Sequence, residues 1–307
     1  MALNNPAFNS PAFQDPKAVQ TYPGGSQAAN LGAQTQFSTA QRAGTDAASQ
    51  AHLEGMYAAP PAGSVETGRM TVEDTVWKTL GLFAVLIVGA VAGWMWTMAG
   101  VTPANPNPSI APWAIGALGG FVLSLVVIFT SRKKIRPALI FGYAAFEGLF
   151  VGGISAFFEM MFEGIVLQAT LATLSVVGVT LALFASGKIR ASKRATKIFL
   201  IAMVGYLVFS LINIGLMLFN APIAGGAFGM LSNQSPLFGI PWGVLIGVFV
   251  VIMAAYSLVL DFDNIQQGVR NGAPRQYGWL GGFGIMVTVV WLYVEILRII
   301  AIVRSSS

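Results

Sequence analysis

WLGGFGIMVTVVWLYVEILRIIAIV, residues 279–303, is an apolar run of 25 residues with only two charges, Glu295 and Arg298. A helix needs roughly 20 apolar residues to cross the hydrocarbon core of a bilayer. The run is continuous and does not alternate every second residue, so it reads as a membrane helix and not as a barrel strand. Six more runs of this kind lie upstream, near 76–98, 111–130, 137–158, 164–185, 198–219 and 237–264. The pattern predicts an all-α membrane protein with seven transmembrane helices over residues 71–307.

Composition agrees. Of the 307 residues, 55% are hydrophobic and only 9% charged, against about 25% charged in an ordinary soluble domain. Mean hydropathy is +0.69. This excludes a soluble enzyme, a coiled coil and a nucleic-acid-binding domain, and makes the lipid bilayer the first partner. The chain has no cysteine, which rules out a disulfide framework, a thiolate metal site and a Cys nucleophile. Its one histidine, His52, lies in a polar stretch. That position suits neither a Ser-His-Asp triad nor a multi-His zinc site.

Residues 1–70 are of another kind, rich in Ala, Gly, Pro, Ser, Asn, Gln and Thr. They cannot bury enough apolar surface to offset their ordering entropy, so a disordered cytoplasmic tail is expected. The tail lacks the apolar core of a signal peptide, and no cleavage is expected. It opens with a short repeat, NNPAF at 4–8 and NSPAF at 9–13.

The loops set the orientation. Segments 131–137, 186–197 and 266–278 carry four, five and two basic residues, whereas 99–110, 159–163 and 220–236 carry none. With seven spans, the eleven basic residues fall on one side. The positive-inside rule makes that side cytoplasmic, puts the N-terminus with it and the C-terminus outside.

Ionisable residues inside a span are expensive and mark function. Glu147 lies ten residues into the third span, about 15 Å along a helix and near the bilayer middle. It is a candidate for an ion or proton path. Asp261 and Asp263 sit near the end of the sixth span. Two residues apart on a helix, they point in nearly opposite directions. Asp261 is expected to face inward and Asp263 to be a solvated, ion-pair-modulating charge at the interface. Glu295 has two readings. Arg298, three residues on, is on the same helical face and can neutralise it. Alternatively Glu295 meets Asp261, the two share a proton, and the pair senses pH and attracts a hard cation such as calcium when deprotonated. Glu159 and Glu163 flank the turn between spans three and four and read as interfacial.

LVLDFDNI around Asp261, LYVEILRII around Glu295 and AAFEGLFVGGI around Glu147 resemble segments of the Bax inhibitor-1 (transmembrane BAX inhibitor motif) family. Asp261 and Ile265 match its Asp-x-x-x-Ile pattern, with Leu260 where the family has Tyr. Leu292, Tyr293, Val294 and Glu295 match its Leu-Tyr-Leu-Asp pattern, with Glu for Asp. The resemblance covers residues 75–304, and the tail resembles that of a bacterial branch. It implies seven membrane helices with the last one central, location in a bacterial plasma membrane, and a pH-sensitive calcium leak whose sensor is an acidic pair, here Asp261 and Glu295.

Three functional readings follow. One is a calcium (cation) leak channel or transporter, with calcium as the transported ion and no cofactor. Another is a regulatory protein that binds a partner, such as a membrane protease, through residues 1–65 without transport. The third, an intramembrane acid-pair enzyme, has no supporting motif, and no enzymatic activity is expected.

Overall fold

The computed structural model describes residues 68–131, 134–219, 228–235 and 239–306. The predicted tail, apart from residues 68–70, lies outside the described residues. The described segments form seven long helices: α1 Val72–Met98, α2 Ala111–Ser131, α3 Pro137–Met161, α4 Ile165–Ala185, α5 Lys193–Leu218, α6 Trp242–Arg270 and α7 Tyr277–Ser306. All seven are long and apolar enough to cross a membrane. Large side chains such as Ile198, Val204, Leu211 and Phe249 stay exposed around the outside, which suits lipid and not water. The chain is an integral, multi-pass membrane protein.

Several helices run beyond the apolar runs that announce them, because caps and not hydropathy end a helix. Thr71 begins α1 four residues before the expected start, its hydroxyl accepting from the Asp74 amide at 3.1 Å. Ser192 begins α5 in the same way, accepting from the Ala195 amide at 3.2 Å. Pro137 occupies the first turn of α3, where a missing N–H costs nothing. Pro241 precedes α6, which starts later than the apolar run and continues six residues past it, to Arg270.

The last helix is central, as expected. It packs against α1, α3, α4 and α6 and is the most buried of the spans. Two apolar cores meet on it. Leu82, Leu86, Ile140, Tyr143 and Phe283 join α1, α3 and α7. Ile154, Ile165, Ala254, Leu292 and Leu297 join α3, α4, α6 and α7.

Small residues bring α1 and α2 onto α3. A methyl group at Gly148 or Gly152 would collide with the backbone of Leu86 or Ala90 on α1, and one at Gly153 with Trp113 on α2. In lipid, with no hydrophobic force between helices, such backbone approach is a main source of association. At the opposite extreme, α5 buries only Asn213. The Asn213 amide donates to the Phe228 carbonyl at 3.1 Å and its oxygen accepts from the Met230 amide at 2.8 Å, fixing the short 3-10 turn Gly229–Ser232.

Composition assigns residues 68–70 to the tail, but they are bonded to the spans. The Met70 amide donates to the Ala273 carbonyl at 2.7 Å, and the Arg275 amide to the Gly68 carbonyl at 2.9 Å. A two-residue bridge is too short to leave a mark in hydropathy.

Candidate functional site

The α6–α7 hairpin fixes the positions of the acidic residues. Its helices run antiparallel, and the register is read from facing residues: Gly243 meets Ile302, Ser257 meets Thr288, and Gly284 meets Asp261. Asp261 is therefore level with Gly284 and Thr288, not with Glu295.

Asp261 Oδ2 accepts from the Thr288 hydroxyl at 2.6 Å. Thr288, itself buried, also lies 3.4 Å from the Ser257 hydroxyl. Gly284 leaves the space for the carboxylate: a Cβ there would stand 3.0 Å from Asp261 Oδ1. Among the described residues no cation pairs with Asp261. Its carboxylate borders a cavity of about 270 Å³ toward the basic-loop end, which Asn264, Ile265, Gly268, Tyr277 and Met70 also line.

Glu295 is almost wholly buried, at 3% exposure, and its carboxylate is bonded by the guanidinium of Arg298. Tyr206 of α5 closes the group. Its hydroxyl accepts from Arg298 Nη1 at 2.8 Å and donates to Glu295 Oε2 at 3.1 Å. The expected Asp261–Glu295 pair is not formed. Thr288 and Glu295 are seven residues apart on α7, about 10 Å along the helix axis. The offset of 34 positions between the two acids overshoots the hairpin register by about two turns, and Arg298, one turn along the same face, occupies Glu295 instead. In this arrangement the two carboxylates are too far apart to share a proton or one calcium ion. Among the described residues no three His, Cys, Asp or Glu side chains converge on a metal-sized site.

Glu147 is half-buried on α3, bonded to Tyr143 one turn earlier. It faces α2, where a Cβ on Gly120 would stand 2.9 Å from Glu147 Oε2. Tyr143 packs edge-on against Phe283 of α7, with centroids 4.9 Å apart. Glu147 is thus near the level of Asp261 but against a different helix. Asp263 accepts from the Gln267 side chain at 2.7 Å and lies in a groove with Lys193 and Lys197. It forms none of the ion pairs among the described residues. Glu159 accepts from the amides of Gly164 and Val166, at 2.6 and 3.0 Å, and caps α4.

Sequence reasoning missed one charged cluster. Asp74 accepts from Arg275 Nε and Nη2 at 2.9 and 2.8 Å and is also bonded by Lys78. Lys78, buried at 8% exposure, donates to the Arg275 carbonyl at 2.7 Å. The i, i+4 spacing of Asp74 and Lys78 was a usable signal. Tyr206 and Thr288 had none, since their partners are on other helices. A larger groove of about 420 Å³ opens between α1, α3, α4 and α7, but its lining is apolar apart from hydroxyls. The charged chemistry lies at Asp261.

Comparison with curated proteins finds no match. The sequence of residues 5–305 matches the model of the family described as Bax inhibitor 1 like; with seven membrane-crossing helices around a central last one, the chain belongs to that family.

Proposed function

We propose that the protein is a pH-sensitive cation leak, with calcium as the transported ion and Asp261 as the carboxylate that responds to both ion and proton. The observation that carries the reading is the setting of Asp261. It is a carboxylate within a membrane helix, at the wall of a cavity, bonded to a hydroxyl and, among the described residues, paired with no cation. A charge in that position is costly unless it serves an ion path. Thr288, Ser257 and Asn264 add oxygen atoms around the carboxylate, the ligand type that calcium takes. Protonation removes the negative charge, so acid weakens cation attraction at this point. The groups facing Asp261 from α7 are neutral. The nearest charged cluster, Asp74–Lys78–Arg275, is already internally paired.

Glu295 has a different part in this reading. Paired with Arg298 and Tyr206, it fastens α5 to the central helix and does not titrate with Asp261. We place the basic-loop end, and with it the cavity, on the cytoplasmic side by the charge rule.

The test is calcium flux into liposomes containing the purified protein, across roughly pH 6–8. Flux should fall as the pH is lowered, and Asp261→Asn should lower it and flatten the pH profile. Flux and profile that are unchanged by Asp261→Asn would overturn the reading.

A further inference from the structure

We infer that Gly68–Thr71 is a strap that closes the mouth of the Asp261 cavity, with the Met70 side chain as its plug. The inference rests on the proposed role of that cavity only for its significance, since the closure itself is measured without any ion.

Met70 borders two separate spaces. On one side is the 270 Å³ cavity that holds Asp261. On the other is a groove of about 400 Å³, lined by Arg69, Thr71 and Arg270–Gly272. Met70 itself is 4% exposed. Its thioether rests on Gly268 of α6, where a Cβ would stand 3.1 Å from the sulfur. The strap therefore stands between the inner cavity that holds Asp261 and the outer groove, with a flexible apolar side chain at the boundary.

The attachment of the strap is two-sided. Along its length it is held by the two backbone bonds between Gly68, Met70 and the α6–α7 loop, which together make the antiparallel bridge between Arg69 and Pro274. At its end it is held by the Asp74–Lys78–Arg275 cluster. The Arg275 side chain is 41% exposed, so the clamp can be reached from water. Gly68 has φ +64°, a left-handed conformation that glycine adopts without strain, which gives the strap a pivot at its upstream end. A plug with a pivot on one side and an accessible clamp on the other is placed to open before its surroundings. Tension on the chain preceding Gly68 acts directly on it.

Because the chain contains no cysteine, single thiols report cleanly. Ile265, 7% exposed, lines the cavity. The experiment places Ile265→Cys in the full chain in lipid nanodiscs and measures alkylation by a bulky water-soluble maleimide. It is then repeated with Met70→Gly or Arg275→Gln added. Ile154→Cys, similarly buried at 6% in the core between α3, α4, α6 and α7, serves as reference. Either strap substitution is expected to speed labelling of Ile265→Cys about tenfold, the scale on which loss of one buried contact shifts a local opening equilibrium. Labelling of Ile154→Cys should not change. Unchanged labelling at both positions overturns the inference, and so does an equal rise at both, which marks general loosening. As a second handle, Met70→Cys with Gly268→Cys, joined by a short thiol cross-linker, should hold the mouth closed and suppress calcium flux. If the labelling pattern is as expected but Met70→Gly leaves flux unchanged, the strap stands and the transport reading fails.

Discussion

The Thr288 hydroxyl is 2.6 Å from Asp261 Oδ2, and Thr288 is seven residues before Glu295 on the same helix. That offset separates two acids that the family resemblance would have paired. It gives each a distinct part: Asp261 at the cavity, Glu295 in a structural knot with Arg298 and Tyr206.

Asp261→Asn removes a unit charge from the cavity wall. At an effective protein dielectric, a charge a few Å from a cation contributes several kcal/mol, so calcium flux into liposomes should fall at least about tenfold. The sign of the pH effect is fixed by the chemistry. Wild-type flux declines on acidification because protonation neutralises the carboxylate, and the Asn variant should show little pH dependence.

Gly284→Ala tests the space around the same carboxylate. The new methyl group would press on Asp261 Oδ1 at 3.0 Å and push it aside by a few tenths of an ångström. Overpacking of this size costs about 1–3 kcal/mol. A protein that stays monodisperse on size exclusion but loses flux is the expected outcome, and undiminished flux would show that the position of the carboxylate is immaterial.

Arg298→Met leaves Glu295 buried with its counter-charge gone. Breaking a buried pair from one side costs about 3–5 kcal/mol, so the thermal midpoint in detergent should fall sharply. The double variant Arg298→Met with Glu295→Gln removes both charges and should regain much of the loss. Equal midpoints for the single and double variants would argue against the knot. The calcium-flux pH profile of Glu295→Gln should resemble wild type in shape, because Glu295 does not share a proton with Asp261.

Gly152→Val pushes a branched side chain into the Ala90 backbone. The close α1–α3 contact cannot survive it, and the variant should aggregate or lose thermal stability by several kcal/mol, beyond the usual overpacking cost of about 1–3 kcal/mol. Gly205→Val, on α5 where a Cβ meets nothing within 4 Å, should be close to neutral.

Deletion of residues 1–65 spares the strap. Under the leak proposal calcium flux in liposomes should persist, whereas a protein whose work is done by a partner bound to that segment would lose partner capture and show no flux in either form.

The seven spans were legible because a membrane helix writes itself into sequence as a long apolar run, and the central place of α7 followed from the family resemblance. Glycine in a membrane helix lets a neighbouring backbone come close, and Gly148, Gly152 and Gly153 do this against α1 and α2. Helix ends were less legible: Thr71 and Ser192 act through one hydroxyl each, and a hydropathy window averages over them. At the candidate site, the residues were legible and their partners were not. Glu147, Asp261 and Glu295 stand out as acids in apolar surroundings, but which of them meet depends on hairpin register. The register was in principle available, because the α6–α7 turn fixes which residues face each other across it. Tyr206 was not available, since its bond to Glu295 crosses 89 residues of chain.

The charged residues of α1 and α7 also bear on how the protein is made. Asp74 with Lys78 and Glu295 with Arg298 are pairs within a single turn of one helix, so each helix can leave the insertion machinery already neutralised. Asp261 has no such companion on α6, and its hydrogen-bond partner Thr288 is on the next helix to be synthesised. The α6–α7 hairpin is therefore best inserted as a unit. A stall between the two helices would leave one bare carboxylate facing lipid, and quality-control machinery would meet the protein at that step first.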